Sequence, residues 1–322
     1  MQLWKIQSDP AAKKELKKTY GETLESLIKE GKDIIACDSD LVGSSGAGNI
    51  FKNYPDHSVN FGICEQNMIA AGAAMSRVGT RAYVHSFSPF VSRRVMDQIY
   101  VSAAFSKNDL HIFASEPGYW SQYNGATHTT FEDLAIMRAI PNVTVFSPSD
   151  AVTFEWMLRY YADNGGVIYD RATRRNVPLI YEEGSEFTYG KSNLLRQGRD
   201  ALIIAEGPLV YDALQAADEL EQKDISVSVI DILFIKPLDR ELIDDQLKKH
   251  NLVVTVENHN IYGGIGEEIG TEIALIQAGC SFRRLGVQDR FGQVGTVDYL
   301  KYVYYISKDD IVRTVEEALK KE

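Results

Sequence analysis

Apolar and polar positions along this chain follow two periods in turn. Short β-branched runs spaced as strands alternate with stretches whose apolar residues recur at every third or fourth position, as on one face of a helix. In the first half DIIACD, RAYVHS, LHIFAS, VTVFSP and VIYD read as strands, while the segment after Glu65, FVSRRVMDQIYVSAAF, FEDLAIMRAI and AVTFEWMLRYYA read as helices. An opening helix is marked by Ser8 and Asp9 ahead of Pro10, with Leu16, Tyr20, Leu24, Leu27 and Ile28 at helical spacing. One polar, glycine-containing stretch, EEGSEFTYGKSNLLRQGRD at 182–200, interrupts the rhythm and reads as a junction. The alternation then resumes with ALIIAEG, LVYDALQAADELEQ, SVSVIDI, a helix from Asp239, LVVTVE, a helix near Glu267, FRRLGV and a terminal helix. The expected fold is α/β with two domains, 1–188 and 189–322, each a mainly parallel sheet with helices on both faces.

Composition narrows the partners. A chain of 322 residues is ample for two cores, and its 34 basic against 45 acidic residues give a net charge of -11. That charge repels phosphate backbones and anionic lipids, so neither nucleic acid nor a membrane is expected as a partner. The opening MQLWKIQSDPAAKKELKK lacks the pattern of a signal peptide, and no apolar run reaches membrane-spanning length, which points to a soluble cytoplasmic protein. Cys37, Cys64 and Cys280 show neither CxxC nor zinc spacing, and a protein metal cluster is not expected.

Ligands of open parallel sheets sit beyond the carboxyl ends of strands, which directs attention to four loops: DSDLVGSSG, GICEQN, HSFSPF and SEPGYWSQYNGATH. Read alone, each has an ordinary explanation. Glu65 could satisfy free N–H groups at its helix mouth, Phe87 and Phe90 could be core, His128 could be a cap, and Lys18 could be one solvated lysine of KKELKK. YGGIGEEIG at 262–270 faintly imitates a dinucleotide fingerprint, but ENHNIY makes too long a connection from the preceding strand, so it reads as a helix entrance where glycine permits close packing.

Taken together, DSDLVGSS, NFGICEQNM, SFSPFVSRRVMDQI, GATHTTFEDLAIMRAIPNVTVFSPSD, IKPLD and DRFGQVG occur in the order found in transketolases. The chain resembles the C-terminal half of that family, a pyrimidine-binding domain followed by the transketolase C-terminal domain. The resemblance implies thiamine diphosphate as cofactor, bound between domains of different subunits. It implies that Glu65 hydrogen-bonds the pyrimidine N1′, that Phe90 and Phe87 flank the aminopyrimidine, and that Asp40 and Leu41 approach the cofactor from the first strand. Ser44, Arg171, Lys18 and Arg93 fall on or near positions expected to hold an anionic sugar, and His128 on the one that contacts donor and intermediate.

Two departures qualify this. Glu116 stands where the family has a phosphate-binding histidine, and Asn124 where it has an aspartate for the acceptor, which suggests an atypical acceptor with Tyr119, Trp120 and Tyr123 offering stacking area. The GDG and paired asparagines that hold magnesium and diphosphate in the family are also missing from this sequence. The resemblance therefore implies one subunit of a split transketolase, its partner an N-terminal-type subunit bringing the Mg2+ ligands, in an α2β2 assembly. The rivals are a deoxyxylulose-phosphate synthase-like subunit, a 2-oxoacid dehydrogenase β-like subunit and a non-catalytic scaffold, with a dinucleotide oxidoreductase further off.

Overall fold

The computed structural model describes residues 3–320, which pack as two units. The first contains the residues up to Pro117 together with Ile136–Phe187, and the second contains Gly118–Ala135 and the chain from Thr188 onward.

In the first unit six strands run parallel: Ile34–Asp38 (β1), Ser58–Asn60 (β2), Arg81–Phe87 (β3), Leu110–Ser115 (β4), Val143–Phe146 (β5) and Val167–Ala172 (β6). Their order is β5-β6-β4-β3-β1-β2. The central strands are buried along almost their whole length, as a sheet covered on both faces requires, which is why they read as continuous apolar runs rather than alternating ones. Because every strand points the same way, the segments after Asp38, Asn60, Phe87, Ser115 and Ala172 all emerge at one edge.

The expected opening helix begins later than its apparent signal. Asp9 closes a local turn by accepting from the Ala11 N–H at 2.9 Å, Lys13–Glu15 pairs as a short antiparallel strand with Asn176–Pro178, and the helix runs Leu16–Lys29. FVSRRVMDQIYVSAAF is likewise not helical throughout: the chain turns from Phe90 to Val95, and helix starts at Met96, widening to a π-helix over Ile99–Phe105. Val91 and Val95 are buried there, while Arg93 and Arg94 are exposed.

The second unit's sheet contains Asn193–Arg196 (β7), Ala201–Ala205 (β8), Val227–Asp231 (β9), Leu252–Asn260 (β10) and Ser281–Val287 (β11), in the order β11-β10-β8-β9-β7. Only β7 runs antiparallel to its neighbour. It lies inside the stretch read as a junction, so the linker is shorter than the sequence suggests: Asn193 and Leu195 are buried on one face while the intervening positions are half-buried, a strand pattern of only four residues. No helix among the described residues is long and apolar enough to cross a membrane.

The glycine cluster at 262–270 marks the entrance of the helix Ile265–Leu275. Glu257, on β10, accepts from the backbone N–H groups of Ile265 (2.8 Å) and Gly266 (3.2 Å). A Cβ at Gly264 would lie 1.8 Å from Glu257 Oε2, so glycine is needed there for the carboxylate to reach the helix mouth. A bound phosphate would need those same N–H groups, which disposes of the dinucleotide reading.

Candidate active site

The carboxyl edge of the first sheet gathers most of the residues singled out from the sequence. Three internal ties set its loops. Asp38, at the end of β1, accepts from the Leu41 N–H with one oxygen and meets His85 Nδ1 with the other at 2.9 Å, while His85 Nε2 reaches Ser115 Oγ at 3.0 Å. This Asp–His–Ser series looks like a hydrolase triad, but all three side chains are buried, so it joins neighbouring strands β1, β3 and β4 rather than exposing a nucleophile. Asn60 Oδ1 accepts from the N–H groups of Asp40 and Gly62, both at 3.0 Å, which ties the loop after β1 to the approach to Glu65. Asp40 itself is held at φ 65°, a left-handed conformation that a non-glycine residue keeps only when its surroundings fix it.

Glu65 is the first residue of the helix Glu65–Met75 and only 4% exposed. Its carboxylate accepts from Arg94 Nη1 at 2.8 Å, so it turns away from its own helix's N–H groups. The Arg94 guanidinium lies over the Phe90 ring, 4.0 Å from the centroid, and Phe90 and Phe87 sit 6.3 Å apart at 46°. From Phe87 the arrangement continues: the Arg174 guanidinium lies 5.4 Å from that ring's centroid, donates to Ser44 Oγ at 2.7 Å and to Glu116 at 2.5 Å. One continuous series of contacts thus runs from Glu65 to Ser44 and Glu116.

YDRATRR offers three arginines, and the spacing alone does not say which of them faces Ser44. Arg171 lies inside β6 and is 2% exposed; Arg174, just past the strand end, is the cation that reaches Ser44. Glu116 also differs from the expectation of a carboxylate repelling an anion. It is buried, with partners in Arg174, in Arg175 at 3.5 Å and in the Thr173 hydroxyl at 3.0 Å. Burial holds its carboxyl above the usual range, against the opposing pull of the two arginines. One acid between two guanidinium groups leaves the cluster cationic, so it can still hold an anionic group. Lys18 is 65% exposed on its side chain and pairs with Glu22 on its own helix at 3.6 Å. Arg93 is exposed beside Gln66 and Asp97.

His128 and Asn124 belong to the segment that packs with the second unit. That segment is anchored where Asn258 Oδ1 accepts from the Tyr119 N–H at 3.0 Å and the Asn260 N–H donates to Phe131 O at 2.9 Å. Gly118, at φ 57°, is required there because a Cβ would lie 2.0 Å from Asn258 Oδ1. His128 is half-buried with Nδ1 2.9 Å from Thr127 Oγ1, and Asn124 is exposed. Tyr119 and Trp120 are core residues, 0% and 8% exposed, so of the three aromatic residues expected to meet a substrate only Tyr123 presents its ring to the outside.

The carboxylate and rings suit a flat, N–H-bearing heterocycle: a buried acceptor at one end, aromatic faces beside it, and buried hydroxyls of Ser39, Ser86 and Ser88 without hydrogen-bond partners at the same strand ends. No group of three or more His, Cys, Asp or Glu among the described residues could hold a metal ion.

The chain matches known families along most of its length. The family model of the transketolase pyrimidine binding domain matches residues 12–178, and that of the transketolase C-terminal domain matches 190–311. The chain is 36% identical to a 6-deoxy-6-sulfo-D-fructose transketolase subunit of Clostridium sp. strain MSTE9, over 94% of each protein. It is 37% identical to a putative transketolase C-terminal section of Methanocaldococcus jannaschii, over 96% of this chain and 98% of that one. Among solved structures it is similar to a split-gene transketolase described as an inactive β4 tetramer, with TM-score 0.85 and 31% identity over 95% of this chain and 98% of the other.

Proposed function

Since the chain belongs to the transketolase family, as a split subunit that works with a partner, we propose that it supplies the pyrimidine-binding half of a composite thiamine diphosphate site. The enzyme so formed moves a two-carbon ketol unit from a ketose to an aldehyde in the cytoplasm. The observation that carries this reading is the buried Glu65 carboxylate, linked through the Arg94 guanidinium to the Phe90 ring at the carboxyl edge of a parallel sheet.

Bound there, the cofactor supplies the carbanion equivalent that breaks and forms a bond next to a carbonyl. The roles of the chain's own residues follow from chemistry and position. Glu65 holds a proton at the pyrimidine N1′, and Phe90 and Phe87 orient that ring without demanding a hydrogen-bond pattern. The loop of Asp40 and Leu41 abuts it. His128 donates to a developing alkoxide of the sugar. Ser44 and Arg174, steadied by Glu116, hold the sugar's anionic end; Arg171 acts from within the strand as a support, and Asn124 meets the acceptor. Magnesium and the diphosphate groups are held by the partner subunit, whose diphosphate-binding domain completes an α2β2 assembly. The relatives support an unusual sugar over the common pentose phosphates, because one is named for a sulfonated ketose. The synthase-like and dehydrogenase-like readings fit less well, since the split transketolase relatives match from end to end.

The test is calorimetric titration of magnesium and thiamine diphosphate into the chain alone and into its mixture with the diphosphate-domain subunit. Binding confined to the mixture is the expected result. Tight binding by the single chain, or none in either case, would refute the composite site.

A further inference from the structure

Arg94 touches both groups that the aminopyrimidine of the cofactor needs. Its guanidinium is flat, cationic and bears N–H donors; it lies on the Phe90 face at 4.0 Å and donates to Glu65 at 2.8 Å. An aminopyrimidine protonated at N1′ is also flat, cationic and an N–H donor, so the slot between Glu65 and Phe90 recognises the same features in both. We propose that Arg94 is an internal surrogate for the cofactor's pyrimidine, which fills the slot in this chain and must swing out when the cofactor binds. The inference rests on the composite-site reading and adds to it a competition between a side chain and the cofactor.

The surroundings supply both the reason and the route. Glu65 is 4% exposed, and a buried carboxylate without a partner is strongly disfavoured, so a chain made apart from its partner needs a counter-ion at this position. The Arg94 side chain, by contrast, is 41% exposed and borders an open groove with Gln66, Asp97 and Tyr100, so it can leave toward solvent. Gln66 Nε2 donates to the Arg94 backbone carbonyl at 3.3 Å, which fixes the main chain while the side chain turns. Because Glu65 is buried, Arg94 can leave only as another cationic N–H donor takes its place, so the step is an exchange of partners rather than a loss of one. Lysine could supply the charge but not the flat face, which argues that the residue is matched to the ring it stands in for.

Two measurements decide the matter. In the two-subunit complex, Arg94→Ala and Arg94→Gln are each expected to lower the Kd for magnesium thiamine diphosphate by about tenfold relative to wild type. An unchanged or raised Kd would overturn the proposal, the latter by showing that Arg94 stays and helps hold the cofactor. The single chain is tested with the free aminopyrimidine half of thiamine by saturation-transfer NMR. A signal with Arg94→Ala or Arg94→Gln, weaker in wild type and lost again on adding Glu65→Gln, is expected; equal signals, or none in any variant, would overturn it. If the wild-type complex takes up no cofactor, the composite-site reading fails by itself, while the NMR arm still decides the role of Arg94.

Discussion

Each unit buries a glutamate near a helix entrance at the carboxyl edge of a parallel sheet, and the two are used in opposite ways. Glu257 projects from a strand and accepts from two backbone N–H groups of the helix Ile265–Leu275; three of its neighbours are glycines, which leave room for it. Glu65 begins its own helix, ignores that helix's N–H groups and pairs with Arg94, a half-exposed cation that lies on the Phe90 ring. A carboxylate fastened to backbone completes a fold, and one fastened to a displaceable side chain is able to receive a ligand. The difference teaches that burial and position at a helix mouth do not by themselves fix what a glutamate holds; the nature of its partner does.

The comparison can be broken at either end. Glu65→Gln is expected to reduce turnover of the two-subunit enzyme by roughly two to four orders of magnitude without changing the urea unfolding midpoint of the chain, because it removes a proton carrier. Turnover within a factor of three of wild type would end its catalytic assignment. Glu257→Ala should do the reverse, destabilising the second unit by about 3 kcal/mol through two orphaned buried N–H groups, as read by urea unfolding. Gly264→Ala tests the same contact from the other side. Its φ of -86° is open to alanine, so any loss, expected at about 2 kcal/mol in the same assay, is the steric consequence of a Cβ that crowds Glu257 and, at 2.9 Å, His259 Nδ1.

A gentler probe is pH. Burial and the neighbouring charge of Glu206 push the Glu257 carboxyl up to about 8, above its ordinary value of 4.5. The folded state therefore holds this proton more tightly than the unfolded chain. The stability it confers is complete below the unfolded value and is lost as pH rises through about 8, at about 1 kcal/mol per pH unit between. Urea midpoints measured across that window should fall in wild type and fall less steeply in Glu257→Gln; parallel slopes would remove Glu257 as the cause. The smallest effect is expected from Lys18→Ala, an exposed member of an intrahelical pair, which should change the KM for an anionic sugar by less than about twofold.

Much of this was readable from residues alone, and the failures have local causes. The strand runs and the two-part organisation could be found, and the loops carrying Glu65, Phe87 and Phe90 located, because parallel strands are long, apolar and followed directly by their loops. The opening helix was placed too early because an Asp-Pro pair serves a turn as well as a helix start, and Asp9 chose the turn. Tyr119 and Trp120 looked like substrate contacts because they lie in a polar loop, yet the loop packs with the second unit and takes their rings into its core.

By itself the sequence determined the α/β architecture, because period is a property of a linear string, and the family, because its motifs stand in order along the chain. Only the tertiary structure decided which of three arginines meets Ser44, that Glu116 is an internal counter-charge, that Asp38, His85 and Ser115 join three strands, and that Arg94 bridges Glu65 and the Phe90 ring. Those contacts join residues distant in sequence, and the free energy that selects one such partner over another depends on distance and burial, which no one-dimensional pattern contains.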